Sequence, residues 1–236
     1  MERLLAFGDA GWGDEILSGT LLTLELAAVT LPVGMVLGFL SAFLSLSDSR
    51  VLRWLGWGYS TTMRGMPELL TLFIVYYGGG LLLNAGLNRI WPGASFEISP
   101  FFAGVIALGL VFGAYAGEVL RGAFQSLNPG QAEAGLAIGM TRQQIFWRIK
   151  LPQLWRFALP GLGNLWVNLL KDTSMVSVIT LGELMRMSQV AVRTTKEPFF
   201  FFLVACAIYW VMCVLSEVIL AKMETRANRG IIRVAA

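Results

Sequence analysis

The sequence predicts an all-α integral membrane protein with about five transmembrane helices, and three observations support this prediction. Of the 236 residues, 56% are hydrophobic and only 14% are charged, and the mean hydropathy of +0.67 is too high for a soluble chain of this length. Apolar runs of about twenty residues, enough to cross the hydrocarbon core of a bilayer, recur along the chain. The Lys and Arg residues collect in alternate connecting segments, as the positive-inside rule requires.

The first predicted span covers residues 17–46 and has Glu25 as its only charged residue. At roughly thirty residues it exceeds the roughly twenty that a bilayer needs, so we expect it to tilt or protrude. Pro32 is expected to kink it, and the four-residue spacing of Gly34 and Gly38 favours the close approach of a second helix. The whole chain is expected to form one domain, 1–236, and the other predicted spans are 69–87, 98–117, 157–179 and 199–220.

The distribution of basic residues predicts that the N-terminus lies outside and the C-terminus inside. The segment after the first span contains Arg50, Arg53 and Arg64, together with aromatic residues typical of the headgroup layer. The segment 180–198 is expected to lie outside. About a dozen of the 18 Lys and Arg residues fall in segments predicted to be cytoplasmic. The last four of them are Lys222, Arg226, Arg229 and Arg233.

The composition excludes several classes of chemistry. Because the chain has no His, imidazole metal sites and nucleophile–His pairs are excluded within it. Cys206 and Cys213 lie in one apolar run, too far apart along a helix to form a disulfide. Residues 78–80 are three glycines inside an apolar span, without the Lys and Ser/Thr of a phosphate-binding loop. We predict no catalytic, cofactor-binding or metal-binding residues in this chain, and the net charge of +3 does not indicate a nucleic-acid partner.

A polar interval, residues 128–152, separates long apolar runs and predicts two short helices joined at Gly139. Thr141 and Gln144 have the spacing of a capping box that opens the second helix, which Pro152 is expected to end. An apolar strip rimmed by basic residues is typical of a surface that docks on another protein. The alternative is a loop helix that rests on its own protein. The strip consists of Ile145, Phe146 and Ile149.

The spacing within this interval resembles the EAA loop of ABC-importer permease subunits, whose pattern is E-A-A-x3-G-x9-I-x-L-P. Gly135 departs from the second alanine of the pattern, and the matching residues are Glu133, Ala134, Gly139, Ile149, Leu151 and Pro152. Further runs are similar to the branch of the family that transports histidine, glutamine and opines. These runs are Arg64-Gly65-Met66-Pro67-Glu68-Leu69, Tyr76-Tyr77-Gly78 and Lys171-Asp172-Thr173-Ser174.

The resemblance implies a membrane-spanning subunit of a type I ABC importer in the bacterial inner membrane, which itself catalyses no covalent step. Such a subunit pairs with a second permease chain, identical or homologous, and with two ATP-binding subunits that hold ATP and Mg²⁺. An extracytoplasmic binding protein delivers the solute, here a polar or cationic amino acid or an opine. The residues that the resemblance assigns to ATPase coupling are Glu133, Ala134, Gly139, Ile149, Leu151 and Pro152. The apolar strip of the second helix adds Ile145 and Phe146 to this expected coupling surface.

The fourth predicted span is unusually polar and contains Asp172. An ionised side chain in a span costs about 2.5 to 3.5 kcal/mol on insertion scales, so its presence needs a reason. Asn164 and Asn168 precede Asp172 at four-residue spacing, so we expect one helical face to present two amides and a carboxylate to the solute. Glu68 is a weaker candidate for the same pathway.

Local charge pairs are the alternative to a solute pathway. Lys171 can neutralise its neighbour Asp172 by extending toward the membrane surface, or backbone groups of a partner helix can satisfy the carboxylate. Arg64 can pair with Glu68, four residues later, at the membrane interface.

A stand-alone ion-coupled secondary amino-acid carrier is the alternative function, because intramembrane charges and asparagines can bind a proton or Na⁺ together with a solute. Five spans argue against it, since many such carriers are built from paired repeats and this chain shows none. A membrane anchor of a redox enzyme is disfavoured, because the chain has neither histidines to ligate haem nor a cysteine cluster.

Overall fold

The computed structural model of the chain describes residues 4–8, 11–91 and 96–228, and these ranges contain helices and no strand. The loop positions 92–95 and the terminal Arg229 and Arg233, which entered the predicted orientation, lie outside the described residues. We number the helices α1 Gly13–Ser45, α2 Arg50–Gly65, α3 Glu68–Ile90, α4 Pro100–Gln125, α5 Pro129–Ala137, α6 Arg142–Ile179, α7 Leu184–Thr195 and α8 Pro198–Ala227. Two of them contain a π-helical turn, α3 at Ile74–Gly78 and α6 at Phe146–Lys150, and α6 ends in a 3₁₀ segment, Thr173–Ile179.

Proline opens three of these helices. Pro100, Pro129 and Pro198 are the first residues of α4, α5 and α8, where the missing N–H has no helical partner to lose. Pro32 lies inside α1, which continues through it from Gly13 to Ser45. In lipid only a structure that satisfies its own backbone groups is stable, which is why the apolar runs form long helices.

α1 and α4 run in the same direction across the fold. Leu26 lies beside Gly104 near the start of the pair, and Ser41 lies beside Gly117 toward its end. Two parallel spans need a third that returns the chain between them, and α3 is that span. α6 runs opposite to α4, and α8 runs opposite to α6. The long helices therefore alternate in direction along the chain.

Glycine allows α1 and α4 to approach closely. A β-carbon added at Gly34 would lie 2.5 Å from Cδ1 of Phe112, and one at Gly38 would lie 2.9 Å from Cβ of Ala116. Separations this short leave no room for a larger residue unless the Phe112 side chain or α4 itself moves. The close packing predicted from the spacing of these two glycines is confirmed.

The basic segment after α1 is a helix, where the sequence analysis expected a connecting loop. α2 packs on α1 and α4 through small residues, with Gly56 and Ser60 buried. The Tyr59 hydroxyl donates a hydrogen bond to the Leu110 carbonyl of α4 at 2.7 Å. The helix was missed because its arginines and its lack of a long apolar run suggested a connection between spans, although its apolar residues recur at helical spacing.

α6 continues through the proline that was expected to end it, so that expectation is wrong. Pro152 cannot donate to the carbonyl of Arg148, and its ring would crowd that carbonyl in a regular α-helix. The π-helical turn ends directly before Leu151. The regular α-helical hydrogen bonds are therefore already interrupted next to the proline, which cannot continue them. The polar interval and the fourth predicted span consequently belong to one helix.

Four helices, α1, α3, α4 and α8, are long and apolar enough to cross a membrane. α6 meets the same criteria only together with α7, from which it is bent by 50°. The described residues thus contain four spans, or up to five if the bent pair counts as one, and this agrees with the predicted fold class. The segment 180–198, expected as an outer connection, contains α7, which packs on α1 and α8.

A buried carboxylate joins α7 to two spans. Glu183 is fully buried and caps α7 by accepting hydrogen bonds from the backbone N–H groups of Met185 at 2.9 Å and Arg186 at 2.8 Å. The hydroxyl of Tyr209 in α8 donates to the same carboxylate at 3.0 Å, and that of Thr23 in α1 at 3.5 Å. This set of donors fixes the bend between α6 and α7 against both neighbours.

Candidate functional site

A cavity of about 280 Å³ lies between α3, α4 and α6. Two carboxylates and one amide, those of Glu68, Asp172 and Asn168, converge on walls that are apolar apart from the hydroxyl of Tyr115. Glu68 is the first residue of α3, and the other two lie one turn apart near the end of the α-helical part of α6. The structure therefore brings three of the four predicted pathway residues together, although they come from different parts of the chain.

Asn164 is exposed and does not line this cavity. Four residues advance an α-helix by about 400°, so each step of the repeat turns the side chain by about 40° relative to the one before. Two steps separate Asn164 from Asp172, which places them about 80° apart around α6. Asn164 therefore points away from this cavity, and its part in a solute pathway stays a prediction.

The local charge pairs expected as alternatives are absent from the described residues. Arg64 approaches Glu118, at 3.7 Å, and makes no ion pair with Glu68. Lys171 lines a different cavity, beside α8, and makes no ion pair with Asp172. The carboxylates of Glu68 and Asp172 are close enough to repel each other, and Lys171 attracts Asp172 from beyond ion-pair distance. Within the described residues neither carboxylate forms an ion pair.

The α4 wall of the cavity was missed by the sequence analysis. This wall includes Val111, Phe112 and Tyr115. They belong to an uncharged apolar span, in which the sequence does not distinguish residues that line a cavity from residues buried in the core. The one usable signal was the tyrosine hydroxyl in an otherwise apolar run. Glu118, the partner of Arg64, was missed because the two residues are far apart in sequence.

The elbow, which we define as residues 128–152, has the predicted turn chemistry. The Asn128 side chain accepts a hydrogen bond from the backbone N–H two residues later, at 2.9 Å, and so caps α5. Gly139 has a φ of +84°, in the left-handed region that favours glycine. Thr141 and Gln144 form a complete capping box at the start of α6.

The apolar strip of the elbow faces partly inward. Ile145 is only 4% exposed, and a β-carbon added at Gly135 of α5 would lie 3.1 Å from its Cγ1 and 3.2 Å from Cδ1 of Ile149. The two isoleucines therefore close the elbow on itself, as in the alternative in which the helix rests on its own protein. The large apolar side chains exposed here are Leu136, Ile138 and Trp147.

The other predicted coupling residues lie on or near the elbow surface. Glu133, Ala134, Gly139 and Pro152 are exposed, whereas Phe146 and Leu151 are partly buried. Their part in coupling stays a prediction. Gly135, which departs from the EAA pattern, lies where two isoleucines of α6 approach α5 most closely. The β-carbon of an alanine at this position would crowd both side chains.

Two carboxylates and an amide in an apolar-walled cavity can bind a polar solute, and a capped elbow beyond the spans can contact another protein. A helical membrane protein with both features belongs to the class of transport subunits. Residues 34–229 match the family model of the binding-protein-dependent transport system inner membrane component, and the chain belongs to this family.

Several curated relatives align with most of the chain. The octopine transport system permease protein OccQ of Rhizobium radiobacter is 41% identical over 98% of both chains. The arginine ABC transporter permease protein ArtQ of Escherichia coli K12 is 40% identical over 88% of this chain and 92% of its own. A chain in the crystal structure of an amino acid ABC transporter with histidines is 30% identical, with a TM-score of 0.78 over 91% of this chain and 95% of that one.

Family membership has two direct consequences. The chain is a multi-pass inner-membrane subunit of an importer, and not an enzyme in its own right. The comparisons also do not favour the alternative of a stand-alone secondary carrier, because a binding-protein-dependent system works together with other subunits.

Proposed function

We propose that this subunit transports amino acids or opines that carry a cationic group, and that Glu68 and Asp172 hold this group in the cavity between α3, α4 and α6. The observation behind the proposal is that two carboxylates face one cavity and neither forms an ion pair among the described residues, although Lys171 attracts Asp172 from a greater distance. A guanidinium or ammonium group entering the cavity would neutralise this charge, and a guanidinium can bind a carboxylate through two parallel hydrogen bonds.

The size and lining of the cavity support a small solute. A volume of about 280 Å³ is near the lower end of the range for ligand pockets, which suits one amino acid better than a peptide. The amide of Asn168 can both donate and accept, so it can bind the polar backbone of the solute. Arginine and octopine, which stand in the names of two relatives, both contain a guanidinium group.

We propose further that a second permease chain, two ATP-binding subunits and an extracytoplasmic solute-binding protein complete the importer. ATP and Mg²⁺ would then be held by the ATP-binding subunits. The exposed apolar side chains of the elbow, Leu136, Ile138 and Trp147, provide a surface for contact with such a subunit.

The solute proposal is tested by uptake into proteoliposomes that contain the purified complex. The wild-type complex is expected to take up labelled arginine or octopine in the presence of the binding protein and ATP. Asp172→Asn removes the charge and keeps the shape of the side chain. A hydrogen bond to a charged group contributes about 1.5–3 kcal/mol, so the half-saturating solute concentration should rise roughly tenfold to a hundredfold.

Glu217→Gln in α8 is the matched control, because Glu217 is exposed and does not line the cavity. It should leave the half-saturating concentration unchanged, and both variants should retain the ATP-binding subunits during purification. An unchanged affinity in Asp172→Asn, with the complex intact, would assign Asp172 a structural role only. Failure of the wild-type complex to take up either solute would refute the proposed solute class.

A further inference from the structure

A second, larger cavity lies where the C-terminal end of α1 meets α2 and the last turns of α4. Its volume is about 650 Å³, and four arginines face it: Arg50, Arg53, Arg64 and Arg121. It shares no lining residue with the cavity that contains Asp172. This second cavity is separate from the proposed solute site.

The charges in this cavity are unbalanced. Among the residues that the structure describes, Glu118 is the one acidic residue lining it, and its carboxylate lies 2.6 Å from Arg121 and 3.7 Å from Arg64. It also accepts a hydrogen bond from Ser60 at 3.0 Å. Four arginines and one glutamate leave a net charge of +3 in the cavity.

Two of the arginines are available to a ligand. Arg50 and Arg53 are exposed on the first turn of α2, and neither has a carboxylate within 4.0 Å among the described residues. Guanidinium groups that share a cavity repel one another, so an anion that enters it gains attraction from each of them. A phosphate ester accepts the paired hydrogen bonds that guanidinium groups donate, and it is therefore the anion that matches this cavity.

The position of the cavity indicates where the phosphate comes from. Trp54 and Trp57 also line it, and their side chains are 67% and 59% exposed. Exposed tryptophans beside arginines are typical of the headgroup level of a bilayer. The cavity lies at the same end of α1 and α4 as the basic segments predicted to be cytoplasmic, and basic pockets on that side of membrane proteins bind lipid headgroups.

We propose that this cavity binds the phosphodiester headgroup of an anionic phospholipid from the cytoplasmic leaflet. Arg50 and Arg53 contact the phosphate, while the ion pairs of Glu118 keep Arg64 and Arg121 in place at the back of the cavity. The two tryptophans lie beside the glycerol region of the lipid. A lipid bound here would link the ends of α1, α2 and α4, and this role is independent of the solute that the subunit carries.

The test measures retained lipid by native mass spectrometry of the purified complex. Phosphatidylglycerol or phosphatidylcholine is titrated into the wild-type complex and into the double variant Arg50→Gln/Arg53→Gln, whose exposed positions do not support the core. The wild-type complex should retain phosphatidylglycerol in preference to phosphatidylcholine. The double variant should lose at least roughly tenfold in apparent affinity for phosphatidylglycerol, because each basic residue near the surface adds to the attraction of an anionic lipid.

The control removes the same amount of charge at a different place. Lys222→Gln/Arg226→Gln alters two basic residues at the inner end of α8, which do not line this cavity. It should retain phosphatidylglycerol as the wild type does. Equal losses in the two double variants would show general attraction to basic residues and would overturn the proposal, as would undiminished binding in Arg50→Gln/Arg53→Gln.

A second measurement separates lipid from free phosphate. Inorganic phosphate is added to the complex in detergent, and the unfolding temperature is compared with that obtained with phosphatidylglycerol. Stabilisation by phosphatidylglycerol alone supports the lipid site. Equal stabilisation by inorganic phosphate, lost in Arg50→Gln/Arg53→Gln, would assign the cavity to a free anion and overturn the lipid assignment.

Discussion

Gly139 has a φ of +84°, and no other atom would lie within 4 Å of a β-carbon added there. A side chain at this position therefore meets backbone strain of roughly 1 kcal/mol but no collision. Gly139→Asp adds a charge to this exposed turn of the elbow, where desolvation opposes contact with another protein. We expect this variant to assemble normally and to lose solute import together with solute-stimulated ATP hydrolysis, as measured in proteoliposomes.

Gly139→Asn is the comparison that separates charge from strain. Asparagine tolerates the left-handed region better than most residues and brings no charge, so import should remain close to the wild-type rate. Normal import by Gly139→Asp would remove the coupling role from this turn. Equal loss in both variants would place the effect in the backbone conformation.

Single residues were predictable from the sequence where local chemistry decides their geometry. The left-handed glycine of the elbow and the capping box of Thr141 and Gln144 depend only on residues close in sequence, and both are confirmed. The burial of Ile145 was expected only in the alternative that the elbow rests on its own protein, because its contact with Gly135 depends on how tightly the elbow folds.

The contact between α1 and α4 is the packing on which the arrangement of the helices depends. A β-carbon added at Gly113 of α4 would lie 2.7 Å from Cβ of Leu37 and 3.1 Å from the carbonyl oxygen of Gly34, so backbone would have to move. Gly113→Val should therefore destabilise the protein by about 1–3 kcal/mol, as overpacked cores generally do. The measurement is the thermal unfolding midpoint in detergent.

Gly122→Val is the matched substitution in the same helix, because a β-carbon added at Gly122 would have nothing within 4 Å. It carries the same change in helix propensity without the collision, so its unfolding midpoint should stay close to that of the wild type. Equal midpoints for the two valine variants would contradict the close packing of α1 on α4.

Elements were predictable where hydropathy alone defines them. The long apolar helices α1, α3, α4 and α8 appear near the expected positions. α2 and α7 were missed as helices, because each is too short and too polar to be a span, and the helical spacing of their apolar residues was overlooked. The cavity at Asp172 was predicted in part, because the four-residue spacing on a helix places Asn168 next to Asp172. Its α4 wall was not predictable, because it depends on packing between segments that are distant in sequence.

The orientation of the whole molecule is testable by cysteine labelling in intact cells. In a variant with Cys206 and Cys213 replaced, a single cysteine at Asp14 should react with a membrane-impermeant thiol reagent added outside. A single cysteine at Gln143 should react only after the membrane is opened. Asp14 lies in the first turn of α1 and Gln143 in the first turn of α6, and both are exposed.

Opened cells provide the control, because both cysteines must react there if they are accessible at all. Labelling of Gln143→Cys in intact cells, without labelling of Asp14→Cys, would reverse the orientation. Alternation of the long helices is compatible with either orientation, so only the distribution of Lys and Arg decides between them.

The parallel pairing of α1 with α4 has a consequence for biosynthesis. α1 enters the bilayer first, but α2 and α3 must be translated before its partner helix exists. Until then the glycine face at Gly34 and Gly38 is open to lipid and to the helices of other nascent proteins. We therefore expect the yield of folded permease to depend on how soon the ribosome delivers α4, a dependence that the stability of the finished protein would not reveal.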